Sequence, residues 1–252
     1  MASFHLAGRM LLEFTRSRRV LGLWILFPVA MLLLFGWVRL EDMGGLGISF
    51  EVTAPGILIG AALFFSCLGG PVSVIVGERE RGTLRRILAS PMSGGQYFMG
   101  LTLAHLAIAL GQAALVYGIT YLVGGRFAGS VIGGLVILVL CAGAYVGVGF
   151  IIGTRYASGA EEINGTVAGV GVPLLVLGGT FFPADMMPPA LYAAAQLNPV
   201  FHMNLAFKAM ARGEAGMAEV WPSLILLCVF TVCAVWMGSR AYNRMLRAEQ
   251  TS

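Results

Sequence analysis

The chain has 252 residues, 58% of them hydrophobic and only 11% charged, with a formal net charge of +4 and a mean hydropathy of +0.85. A soluble domain carries roughly 25% charged residues, so twelve acids and sixteen bases cannot clothe a water-facing globule of this size. The composition excludes a cytosolic enzyme and a disordered chain, gives nucleic-acid binding no support, and points to a polytopic membrane protein.

Ahead of the first apolar run, Phe4, Ala7, Leu11 and Phe14 recur at helical spacing, while His5, Arg9, Glu13 and Arg16 occupy another face. This predicts an amphipathic interface helix over 1–19, either a membrane-surface anchor or a docking surface for a cytoplasmic partner. Six runs are long enough to cross the hydrocarbon layer: 20–38, 56–76, 97–123, 131–153, 163–182 and 220–240. The first starts too far in, and lacks the small-x-small exit, for a cleaved signal. Ser93 with Gln96 and Ser158 with Glu161 predict capping boxes that open the third and fifth spans.

Pro183, Pro188 and Pro189 are expected to break the fifth span. Asn198-Pro199 predicts an N-cap with proline at the first helical position, for a helix over 200–212 ended by Gly213. The segment 183–215 is therefore expected to form short re-entrant helices on the outer side, or a helix lying flat on that surface. Basic residues set the orientation. Arg39, Arg126, Lys208 and Arg212 fall on one side and the other twelve on the opposite side, which puts both termini in the cytoplasm. The whole chain, 1–252, reads as one all-α transmembrane domain of six helices.

Much of the functional information is negative. Lys208 is the only lysine and sits in Phe207-Lys208-Ala209, so the Gly-Lys-Ser/Thr of a phosphate-binding loop is missing and ATP hydrolysis by that route is excluded. The only aspartates, Asp42 and Asp185, are far apart, which excludes a metal-dependent DxxD lipid enzyme. No serine stands in a GxSG context. Cys67, Cys141, Cys228 and Cys233 lie in apolar runs without CxxC spacing and read as small core residues. Within the spans, His105 and Gln112 offer little ion-binding chemistry. His105 reads either as satisfied by its own helix or as a pathway residue. Glycine pairs at GxxxG spacing, Gly143/Gly147, Gly149/Gly153 and Gly165/Gly169, favour close helix packing.

The most informative segment runs from Gly77 to Pro91, GERERGTLRRILASP. Its charges alternate with Leu84, Ile87 and Leu88 at helical spacing, predicting a short amphipathic helix closed by Ser90-Pro91; the plainer reading is a solvated loop. The pattern E-x-E-x-G-T-L-x-x-(I/L)-L-x-(S/T)-P after a second span resembles the permease subunit of ABC type-2 exporters. Gly178-Gly179-Thr180-Phe181-Phe182-Pro183, then Met187-Pro188, then Asn198-Pro199 through His202 is similar to that family's segment between the last two spans.

The resemblance covers nearly the whole chain. It implies a non-enzymatic permease in a bacterial inner membrane that moves hydrophobic or amphipathic cargo outward, whether drug, lipid or lipid-linked molecule. The implied partners are a second permease copy or close paralogue, membrane lipid, and two ATPase subunits that bring ATP and magnesium, with no cofactor or metal in this chain. It further implies that 77–96 is a cytoplasmic coupling loop, with Glu78, Arg79, Glu80, Arg81, Gly82, Arg85 and Arg86 as coupling residues. A pathway or outer gate of His105, Phe181, Phe182, Met186 and Met187, with Phe64 and Phe65, would suit apolar cargo. The likeness favours the drug and small-amphiphile branch over lipid-linked polysaccharide export. An ion-coupled carrier using His105 and a non-transporting scaffold are the alternative classes.

Overall fold

The computed structural model describes residues 2–83, 93–155, 160–182, 186–213 and 217–250, and among these every regular element is a helix. An N-terminal helix α1 (Ala2–Arg16) is followed by α2 (Arg18–Val38) and the short α3 (Leu40–Met43). One 35-residue helix, Leu46–Glu80, comes next. It is built from α4 (Leu46–Gly56), two π-helical segments (Ile57–Ala62 and Phe64–Gly69) and α5 (Gly70–Glu80). Then come α6 (Gly94–Leu122), α7 (Val131–Arg155), α8 (Ala160–Leu177), α9 (Pro189–Ala195), α10 (Pro199–Arg212) and α11 (Met217–Gln250).

Five of these helices are long and apolar enough to cross a membrane: α2, Leu46–Glu80, α6, α7 and the Val220–Met245 part of α11. The chain is an all-α, multi-span membrane protein. The run expected at 163–182 is helical but shorter than expected, because α8 ends at Leu177. Gly178 N–H closes on Leu174 O, and Gly179 turns the chain with φ of +68°. The glycine pair, ahead of the prolines, ends this helix.

Leu46–Glu80 lies at the centre. Of its most apolar window 78% is buried, against 17% for α2, so α2 presents most of its surface outward. Small residues allow this: a Cβ on Gly56 or Gly60 would fall onto Thr180, and small side chains let transmembrane backbones approach closely. The same spacing operates between α7 and α11, where a Cβ on Gly147 would lie 2.5 Å from the Ala234 carbonyl carbon. Gly149 and Gly153 likewise face Leu68 and Val72 of the central helix, whereas Gly165 and Gly169 have open space beside them.

The amphipathic α1 forms as expected, with a different buried stripe. Leu6, Ala7 and Met10 are buried while Phe4 is 71% exposed. The stripe is set by the start of α6, where Gly100 admits Ser3 O and Leu6. Ser93 and Gln96 make the capping box of α6. Asn198 Oδ1 accepts from Val200 N–H at 3.0 Å, and Gly213 ends α10 with φ of +69°. The Ser158–Glu161 box lies outside the described residues.

Candidate functional site

The basic end of the bundle is organised around one buried carboxylate. Glu78 is 3% exposed. The Tyr97 hydroxyl donates to its Oε2, and Arg9 Nη2 lies 3.6 Å from its Oε1. Arg9 also pairs with Glu13, Nε to Oε1 at 3.1 Å. Behind Tyr97, the Tyr242 ring stacks at 4.7 Å. Helices α1, α5, α6 and α11 therefore converge on Glu78. Glu78, one of the residues implied for the coupling loop, faces inward.

Arg79 also turns inward. Its Nη2 donates to Gly153 O at 3.2 Å and Thr154 O at 3.4 Å, carbonyls in the last turn of α7, where a cation complements the helix dipole. Helix α5 stops at Glu80. Arg81 N–H bonds Gly77 O, Gly82 N–H bonds Arg79 O, and Gly82 takes φ of +64°. A Cβ on Gly82 would touch nothing, so its glycine answers to backbone conformation, not crowding. Glu80 and Arg81 are exposed. Arg85 and Arg86 lie outside the described residues, as does the stretch to Pro91 expected to complete the coupling helix.

Beside this hub opens a cavity of about 830 Å³. Its mouth is charged, with Arg9, Glu13, Arg16, Glu78 and Arg81. Its walls are apolar: Val20, Leu23, Trp24 and Phe27 from α2; Ala61, Ala62, Phe65 and Val74 from the central helix; Val167 from α8. The π-helical turns put two alanines, Ala61 and Ala62, together on this wall, which keeps the space open. Phe27 and Phe65 meet edge-on at 5.0 Å.

The expected pathway residues are not gathered there. Phe65 lines the cavity, but Phe64 is core, packed on Tyr145. His105 is fully buried; its Nδ1 lies 2.9 Å from Leu101 O, and its ring packs against Phe14 and Trp24. Its helix neighbour holds Nδ1, while Nε2 is buried with no hydrogen-bond partner among the described residues. Gln112 ties three helices, donating to Trp24 O at 3.1 Å and accepting from Ser66 Oγ at 2.8 Å.

Phe181, Phe182, Met186 and Met187 lie at the other end of the bundle. Phe181 stacks on Phe35, while Phe182 and Met186 are exposed and Met187 is half-buried. There the carbonyls of the last turn of α8 and of the turn after it are gripped from several sides. Arg39 Nη2 donates to Phe181 O at 2.7 Å, Lys208 Nζ to Gly179 O at 2.8 Å, Asn204 Nδ2 to Gly178 O at 2.9 Å, and Asn198 Nδ2 to Leu174 O at 2.6 Å. Burial, and then Arg212, lower the pKa of Arg39 from its ordinary value; its bonds to Phe181 O and Thr53 offset part of that desolvation. Charged hydrogen bonds contribute about 1.5–3 kcal/mol, so Arg39→Met should loosen this end. Thr180→Cys, set in a background without native cysteines, is expected to resist thiol reagents and to become reactive once Arg39→Met is added. Equal reactivity in both would show that Arg39 does not hold the turn.

Sequence reasoning missed Arg9, Tyr97, Trp24 and Phe27 as site residues. Arg9 and Glu13 carried a signal, since both stand on one face of α1, but nothing local announced their partner in Glu78. Gly56 and Gly60 have the spacing of the pairs that were singled out. Among the described residues no three His, Cys, Asp or Glu side chains are grouped to hold a metal ion.

Residues 2–211 match the profile of the family described as ABC-2 type transporter. A 176-residue stretch is 30% identical to a protein of Escherichia coli K12 named probable multidrug ABC transporter permease YbhR, covering 69% of this chain and 46% of that relative. The protein of the same name from Escherichia coli O157:H7 matches equally. The chain spans about half the length of the curated relatives it matches.

Proposed function

The chain belongs to the ABC-2 type transporter family, and on that footing we propose that it is the membrane permease of an ATP-driven exporter of hydrophobic or amphipathic cargo. It works in a bacterial inner membrane, as one of a pair of permeases energised by two separate ATPase subunits that bring ATP and magnesium. The observation that carries this reading is the 830 Å³ cavity, apolar in its walls and charged at its mouth, set directly beside the Glu78 hub. A stroke delivered at the turn after α5 reaches the cavity through one continuous helix, because packed helices move as rigid bodies.

In this reading the segment 77–96 is the coupling loop, with its members divided by burial. Glu78 and Arg79 hold α5 to α1, α6 and α7, and Gly82 sets the turn. Glu80 and Arg81, with Arg85 and Arg86, meet the ATPase. Phe181 and Phe182, just ahead of re-entrant helices over 183–215, form an outer gate with Met186 and Met187 inside that segment, and the multidrug name of the relatives favours small amphiphiles as cargo. His105 packs the core beside the path. The test is export from proteoliposomes holding the permease and its ATPase. Ala62→Trp should fill the cavity and abolish ATP-dependent export of a fluorescent amphiphile while the ATPase still co-purifies. Reversal of Glu80 and Arg81 together should lose the ATPase or uncouple it, and Arg126→Glu at the opposite end should be silent. Full export by the Ala62→Trp protein would defeat the reading.

Six spans with both termini cytoplasmic, the N-terminal 1–19 lying at the inner interface and 1–252 forming one domain, complete the proposal. Cysteines placed at 85 and 247 should be shielded from impermeant thiol reagents in intact cells, and one at 214 should react. External labelling at 85 would overturn this orientation.

A further inference from the structure

We propose that the cavity beside α2 is a head-and-tail site for an amphiphile bearing an anionic head, which enters from the leaflet at the basic end. This rests on reading the cavity as the cargo path, and names the class of cargo. Depth is the first argument. From Ser17 to Pro28 along α2, both lining residues, a helix rises roughly 17 Å. That is close to half of a hydrocarbon layer of about 30 Å. The site therefore has the length of one leaflet's chains, with Trp24, Phe27 and Phe65 along the tail.

Charge at the mouth is the second argument. Three arginines and two glutamates line it. Both carboxylates are already engaged: Glu13 and Glu78 share Arg9, and Glu78 also accepts from Tyr97. Arg16 and Arg81 have no carboxylate within ion-pair distance among the described residues. An anionic head placed here meets two guanidinium groups whose forked donors match sulfate, phosphate or carboxylate oxygens. A cationic head meets two like charges and no available counter-charge. Ser17 and Thr83 also line this cavity.

Trp24 makes the site readable. The full chain with Trp37→Phe, Trp221→Phe and Trp236→Phe leaves Trp24 as the sole tryptophan reporter. In phosphatidylcholine nanodiscs it is titrated with three bromine-tipped, twelve-carbon probes that quench on contact: an alkyl sulfate, an alkyl trimethylammonium and the uncharged alcohol. The sulfate probe is expected to quench saturably and to bind about tenfold tighter than the ammonium probe, the scale of two partly exposed charge contacts. Arg16→Gln with Arg81→Gln should erase that preference and leave binding of the alcohol unchanged. Sodium sulfate equimolar with the probe should not displace it, since the chain provides most of the affinity. Displacement would mean that a free anion, not an amphiphile, is the ligand. Equal affinity for the sulfate and ammonium probes, or a preference that survives the double substitution, would overturn anionic recognition while leaving the cavity as a cargo path. No saturable quenching by any probe would remove the cavity itself, and the functional reading with it.

Discussion

Glu78→Ala is expected to cost about 3 kcal/mol and to lower the thermal midpoint of the detergent-solubilised protein by roughly 6–10 °C. The physical reason is the partners left behind. Removing one member of a buried charge pair costs about 3–5 kcal/mol, because the remaining group keeps its desolvation without its bond. Here Tyr97 would lose its acceptor in a buried setting. The Arg9 side chain, 53% exposed, would recover some water, which puts the loss at the lower end. Glu78→Gln retains an acceptor for Tyr97 and should lose about half as much. Arg81→Gln, on the exposed turn, should stay within about 1 kcal/mol. The measurement is the fraction remaining monodisperse after heating, with all variants at matched expression. If Glu78→Ala melts with the native chain, the hub does not hold the basic end together. The consequence for coupling is direct: reversing Glu78 tests folding, and Glu80, which is exposed and outside the cavity lining, can test contact with an ATPase.

Gly147→Val should be the other large effect, at about 3 kcal/mol or more. Overpacking a close helix contact forces backbone apart and costs about 1–3 kcal/mol where side chains can yield. Here the obstacle is main chain: the Ala234 carbonyl carbon and the Val235 nitrogen stand 2.5 Å and 2.7 Å from the new Cβ. From the other side, a Cβ on Gly238 would lie 2.5 Å from Gly147 O, so Gly238→Val should behave alike. Neither helix can retreat freely, since α7 also packs on the central helix through Gly149 and Gly153. The contrasting pair is Gly165→Val and Gly169→Val, which have nothing within 4 Å and should leave the folded chain unchanged. Folded yield and thermal midpoint separate the two groups. Native yield and melting of Gly147→Val would show that α7 and α11 are not closely packed.

These two sites mark where the sequence stops being legible. Membrane class, helical content and five of the six expected apolar runs follow from composition and from the number of residues a bilayer demands, and these were readable without a structure. So were the local punctuation marks: the Ser93–Gln96 box, the Asn198 cap and the Gly213 stop depend only on groups within four residues of one another. The family resemblance was readable too, because it rests on contiguous motifs.

What the tertiary structure alone decided is which side of each helix has a partner. Periodicity gave α1 an apolar face, yet the close approach at Gly100 on α6 took in Leu6, Met10 is buried with it, and Phe4 is left outside. Three glycine pairs looked alike in sequence, and only the crossing of α7 with α11 and with the central helix separated the two that pack from the one that does not. Glu78 read as one more charge in a charged loop. Its burial depends on Arg9, 69 positions earlier, and Tyr97 and Tyr242, which no local spacing connects to it. The cavity was equally hidden, because it is a space between α2, two π-helical turns and α8, and a void has no residues of its own. Local physics fixes the elements of this chain, while charge burial and the cavity arise from contacts across helices.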